Sequence, residues 1–160
     1  MVCIHIYFLF KLLFQYNFEH INNEIILIWH YPLEYRDCMF RGCSTITEID
    51  LSNFDDSQLS LMHFMFYECN SLKKIEMSNI KANKVEDTGY LFGNCYNLKS
   101  INLANFYAPN NNQLHCMFEN CNSLISINFP NLNAIKLQKQ RPCHYYFANF
   151  LNITKISIFK

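Results

Sequence analysis

The sequence predicts an α/β solenoid of about five coils, with one parallel β-sheet wall and short helices or 3-10 turns on the opposite wall. Three observations carry that expectation. Met39-Phe40-Arg41-Gly42-Cys43 returns as Met65-Phe66-Tyr67-Glu68-Cys69, Leu91-Phe92-Gly93-Asn94-Cys95 and Met117-Phe118-Glu119-Asn120-Cys121, at 26-residue intervals. Each unit then enters a short alternation of apolar and polar residues, the period of a half-buried strand. An Asn stands just beyond every such strand, as Asn53, Asn79, Asn105 and Asn131.

Residues 1–21 form a separate apolar segment. Lys11 interrupts the runs Ile6-Tyr7-Phe8-Leu9-Phe10 and Leu12-Leu13-Phe14. On the membrane-insertion scale that lysine costs about 2.5–3.5 kcal/mol, and the Val, Ile, Leu and Phe residues return about 0.3–0.6 kcal/mol each. Gln15, Asn17 and His5 erode the gain, so the sum is close to zero. No Lys or Arg precedes the run and no small-residue cleavage site follows it, which fits a signal peptide poorly. A degenerate N-terminal cap ranks first, a signal or anchor second, and an artefact of gene-start choice third. Membrane association stays open.

Residues 22–160 are read as the repeat domain. Ile25–Leu33 supplies a lead-in strand. The repeats follow in register, with columns Ile46, Leu72, Leu98, Leu124, then Ile49, Ile75, Ile101, Ile127, then Leu51, Met77, Leu103, Phe129. Strands are expected at Thr47–Leu51, near Leu72–Met77, and at Lys99–Leu103, Ser126–Phe129 and Lys155–Ile158. Gln58–Tyr67, with Leu59, Met62, Met65 and Phe66, suits one or two helical turns on the other wall. A fifth unit follows a short insertion, through Phe147, Phe150, Ile153 and Ile156. The chain stops within that last predicted strand. A fragment of a longer array is preferred over end-to-end polymerisation, since solenoids close with polar caps and open edges recruit strands.

The Asn column suits a ladder of side-chain bonds to corner backbone and to the Asn above and below. Cys43, Cys69, Cys95 and Cys121 occupy an inward column beside Phe and Leu, where free cysteine behaves as a small hydrophobe. Repeats about 5 Å apart would allow bridges, yet buried thiols are the better reading. Cys38 and Cys116 share an apolar column with Phe64 and Tyr90. Cys3 and Cys143 fall outside the pattern.

The repeat Met-Phe-x-x-Cys-x-Ser/Asn-Leu-x-x-Ile-x-Leu-x-Asn-Phe resembles the leucine-rich repeats of BspA-like surface proteins, over residues 38–160. The resemblance implies a leucine-rich-repeat fold, a cell-surface or extracellular location, and adhesion through protein or cell-surface ligands. It supplies no catalytic residues and no cofactor.

Net charge is zero, so there is no nucleic-acid footprint. Residues 1–68 hold nine acids against Lys11, Arg36 and Arg41, whereas residues 69–160 hold four acids and ten Lys/Arg. That asymmetry could draw chains together head to tail. His63 and His115 share a column with Gly89 between them, their backbones about 10 Å apart, which is long for one metal. His115-Cys116 and Cys143-His144 place side chains on diverging faces, unsuited to proton transfer. Glu48, Asp50, Asp55 and Asp56 lack calcium-loop spacing, and Asn152-Ile153-Thr154 is a lone sequon. The expectation is a non-catalytic scaffold without metal or cofactor. Its binding face would be the outward strand residues Glu48, Asp50, Lys74, Glu76, Ser100, Asn102, Ser126 and Asn128.

Overall fold

The computed structural model describes residues 37–131 and the strand Lys155–Ser157. The 1–21 segment, the Ile25–Leu33 lead-in, Cys3, Cys143, the sequon, and Phe147, Phe150 and Ile158 lie outside the described residues. Five strands follow one another: β1 (Glu48–Asp50), β2 (Lys74–Glu76), β3 (Ser100–Asn102), β4 (Ser126–Asn128) and β5 (Lys155–Ser157).

Each strand sits where the alternation placed it and is only three residues long. Local chemistry ends them early. The Asp50 carboxylate accepts the Ser52 N–H at 2.8 Å, and the Phe54 N–H then closes a turn on the Leu51 carbonyl at 3.0 Å. Glu76 accepts the Ser78 N–H in the same way at 2.8 Å. A side chain that bonds backbone two residues on offers the chain a turn in place of the strand.

Pairing is parallel and in register: Ile49 opposite Ile75, Ile101 opposite Ile127, and Ile127 opposite Ile156. The expected single sheet is divided. β1 pairs β2, while β3, β4 and β5 form a second sheet. Between β2 and β3 the Lys99 N–H reaches the Lys73 carbonyl only at 3.5 Å, beyond the usual hydrogen-bond range.

The expected helix over Gln58–Tyr67 is absent, and no helix occurs among the described residues. Backbone donors alternate instead. Met62, Phe64, Phe66 and Glu68 donate to the carbonyls of Asp87, Gly89, Leu91 and Gly93 in the next repeat, at 2.9–3.1 Å. Met65, Tyr67 and Cys69 donate three residues back, to Met62, Phe64 and Phe66. The result is a run of tight turns tied sideways to the neighbouring repeat. Left-handed backbone makes this possible. Phe64 and Glu68 have φ of 55° and 63°, and the equivalents Cys38, Gly42, Tyr90, Asn94, Cys116 and Asn120 are also positive. An L-residue in that region interrupts a right-handed helix.

The core follows the columns. Phe40, Phe66, Phe92 and Phe118 stack ring on ring, with centroids 5.4, 5.4 and 5.5 Å apart. Leu72, Leu98 and Leu124 beside them are fully buried. Burial of one such side chain stabilises by about 1.5–3 kcal/mol. The Cys thiols join this core as hydrogen-bond donors: Cys69, Cys95 and Cys121 reach the carbonyls of Phe40, Phe66 and Phe92 at 3.1, 3.2 and 3.1 Å. All four cysteines of that column are buried and outside any disulfide, whereas Cys116 is disulfide-bonded.

Candidate functional site

The strand face comes together as the column reading required. In the register of the sheets Glu48 lies opposite Lys74 and Asp50 opposite Glu76. Ser100 lies opposite Ser126 and Asn102 opposite Asn128. Each pair flanks a central Ile that points inward. Lys74, Ser100 and Asn102 are exposed, as are Glu48 and Asp50, while Glu76, Ser126 and Asn128 are half-buried.

The two rows differ in chemistry. Glu48, Lys74, Ser100 and Ser126 lead the strands. Asp50, Glu76, Asn102 and Asn128 end them and carry structural bonds: the first two cap the turn, Asn102 accepts the Ala104 N–H at 3.2 Å, and Asn128 donates to Asn102 at 2.8 Å. The Ser52 backbone N–H, then its side chain, hold the Asp50 carboxyl below its ordinary range. The Ser78 side chain, then its backbone N–H, hold the Glu76 carboxyl down in turn.

Of the two kinds of bond expected of the Asn column, the structure shows the one to corner backbone. Asn79 and Asn131 donate side-chain N–H groups to the carbonyls of Ser52 and Ala104 at 3.0 and 3.2 Å, and Asn105 donates to Ser78. Each amide therefore ties its repeat to the backbone of the one before. Bonds from Asn to Asn occur elsewhere, between Asn120 and Asn94 at 2.7 Å and between Asn128 and Asn102.

A second surface escaped the column reading. His63, Phe64, Tyr67, Tyr90 and His115 are each half-buried and form a connected aromatic group. Phe64 and Tyr90 stack at 5.0 Å, and Tyr67 meets Phe64 edge-on at 4.9 Å. The Arg41 guanidinium covers Phe64 and Tyr67 at 5.1 and 5.3 Å from the ring centres, a cation–π arrangement. Burial raises the Tyr67 phenol, aided by Glu68 and Glu119. Alongside runs an open groove of about 610 Å³, lined by Arg41, Glu68, Asn70, Asn94 and Tyr96 among others. The sequence signal was present in the Phe64/Tyr90 column, but side chains at an apolar column read as interior.

Also missed was a buried polar pair. Asn111 occupies the column of Leu59 and Val85, yet is buried and donates to the Thr88 hydroxyl at 2.7 Å.

Among the described residues no set of three or more His, Cys, Asp and Glu side chains converges to hold a metal ion, and no helix is long and apolar enough to cross a membrane. No curated protein and no solved structure matches the chain. The model of the family described as "Mycoplasma protein of unknown function, DUF285" matches residues 36–156, and the chain belongs to that family.

Proposed function

We propose that the chain is a non-catalytic recognition scaffold, a solenoid of the leucine-rich-repeat type at a cell surface, that binds a protein or cell-surface ligand through its strand face. The observation that carries this reading is the registered pairing of Glu48 with Lys74 and of Ser100 with Ser126, one strand-leading side chain per repeat. Within each pair the side chains are spaced by the interstrand distance of about 4.8 Å, so a partner spanning both pairs would be held by many modest contacts over an extended surface. The BspA-like resemblance supports adhesion as the purpose of such a face. The test is binding of the fluorescently labelled chain to cultured epithelial cells, beside a Lys74→Glu/Ser100→Arg/Ser126→Arg variant. Saturable binding that the variant loses at least tenfold supports the reading. Equal binding by both proteins, or none by the wild type, sinks it.

The charge asymmetry favours a second reading, self-association end to end. Nine acids in residues 1–68 and ten Lys/Arg in residues 69–160 would attract across unlike ends, and added salt would screen that attraction. Light scattering over a concentration and salt series separates the two: a constant monomer mass excludes assembly.

A further inference from the structure

We propose that the groove beside the aromatic group holds a neutral oligosaccharide chain, one pyranose unit to each repeat. The groove shares no residue with the strand face, so it stands whether or not that face binds. Two columns build it across three consecutive repeats. Gly42, Glu68 and Asn94 form one, and Ser44, Asn70 and Tyr96 the other, with Arg41 at the first level. Backbone bonds lock these levels together: the Gly42 N–H donates to the Tyr67 carbonyl at 2.7 Å, and the Glu68 N–H to the Gly93 carbonyl at 2.9 Å. The levels therefore succeed one another about every 4.8 Å, close to the length of one pyranose unit in an extended chain.

The polar groups are held in place before any ligand arrives. With its amide oriented to satisfy both atoms, Asn70 donates to the carbonyls of Glu68 and Asn94 at 3.2 and 3.0 Å, spanning two levels. Asn94 Oδ1 accepts from the Asn120 amide at 2.7 Å. The Arg41 guanidinium rests on the Phe64 and Tyr67 rings, 5.1 and 5.3 Å from their centres. Side chains fixed in this way lose little freedom on binding.

The lining selects the occupant. The Arg41 and Glu68 charges cancel, and no ion pair joins them among the described residues, so both heads are left for a ligand. Sugar hydroxyls donate as well as accept, and adjacent hydroxyls on a pyranose match the forked amide, carboxylate and guanidinium groups. Tyr96 is 41% exposed and offers a ring on which the C–H face of a sugar can pack. An extended peptide would need sockets for alternate side chains, whereas this lining is polar at every position but Gly42 and Tyr96. The volume of about 610 Å³ lies within the range of small-ligand sites. Glu68 is the one carboxylate in the lining, and glycosidic cleavage takes a pair, so the groove binds without cutting.

The test titrates the full chain with cellotetraose, maltotetraose and chitotetraose by calorimetry, and follows the side-chain amide resonances of Asn70 and Asn94. Saturable binding of at least one of these sugars, with shifts at both amides, is the expected result. Tyr96→Ala should weaken that binding at least tenfold with an unchanged circular-dichroism spectrum. Tyr107→Ala removes a tyrosine that is 59% exposed and outside the groove, and should bind as wild type does. Three results overturn the proposal: no binding of any of the three sugars, binding that Tyr96→Ala leaves intact, or amide shifts produced only by a heparin tetrasaccharide or a blocked tetra-alanine peptide. The wild-type shifts decide the matter even where a variant misfolds.

Discussion

The thiol of Cys95 donates to the backbone carbonyl of Phe66 at 3.2 Å, reaching from one repeat into the preceding one. Cys69 and Cys121 repeat the contact with Phe40 and Phe92. A column that resembles plain hydrophobic packing is therefore also a set of cross-repeat donors that satisfy buried carbonyls.

These thiols should be chemically silent in the folded protein. Burial raises Cys95 well above its ordinary value, with neighbouring Cys121 adding to the effect, and burial pushes Cys121 up to about 12. Mass spectrometry after brief iodoacetamide treatment at pH 8 should find Cys69, Cys95 and Cys121 unmodified, and fully modified once denaturant is present. Rapid native labelling at Cys95 would contradict the buried placement.

The same shift gives a pH dependence. The unfolded thiol ionises near its ordinary value of 9.0, whereas folded Cys121 keeps its proton to about pH 12. Above pH 9 the folded state therefore binds more protons than the unfolded one, and stability falls as pH rises towards 12. The slope is up to about 1.4 kcal/mol per pH unit for a single thiol. Urea melts at pH 8.5 and 10.5 should show a smaller alkaline loss for Cys121→Val than for wild type. Equal losses would remove Cys121 as the cause.

Phe92 is stacked on both sides, by Phe66 and Phe118. Phe92→Ala should destabilise by about 3–5 kcal/mol in urea unfolding. The substitution interrupts the ring column at its centre, so loss of signal from both flanking repeats is expected together.

Glu68 tests the left-handed column. Its φ of 63° costs an L-residue about 1–2 kcal/mol. Glu68→Val should destabilise by about that amount, because a β-branched residue fits the region worst. Glu68→Gly should stay within about 0.5 kcal/mol of wild type, relief of strain offsetting the greater freedom of the unfolded chain. Thermal melts of the two variants that coincide would refute the strain argument.

Gly93 is held small by Tyr67. A Cβ there would lie 2.7 Å from Tyr67 Cδ2, so Gly93→Ala should cost about 1–3 kcal/mol through overpacking. In a Tyr67→Ala background that cost should largely vanish. Additive losses in the double-mutant cycle would show that the ring is not the obstacle.

The strand positions were legible because inward Ile and outward polar residues alternate beside every Leu column, as at Lys74-Ile75-Glu76. The opposite wall was not. Leu59, Met62, Met65 and Phe66 have spacings that a helix and a series of tight turns share, and the deciding feature is the left-handed φ of Phe64, which no aromatic residue advertises. The strand face was readable for the same reason as the strands. The approach of the His63 and His115 rings, whose centres lie 6.1 Å apart, was hidden because it depends on what Gly89 lacks: a Cβ there would lie 2.5 Å from His115 Cε1.

Backbone ties between the described repeats recur at a few sequence offsets: Cys95 to Phe66, Asn79 to Ser52, Lys73 to Thr47, Phe66 to Leu91. Loss or duplication of one whole 26-residue unit between Phe66 and Phe92 would bring the same chemical partners face to face again. A change of any other length in a turn-forming segment would set thiols against the wrong carbonyls and turn aromatic rings out of their column. Such a chain is quantised in length: it can grow or shrink by complete repeats while its interior chemistry stays the same.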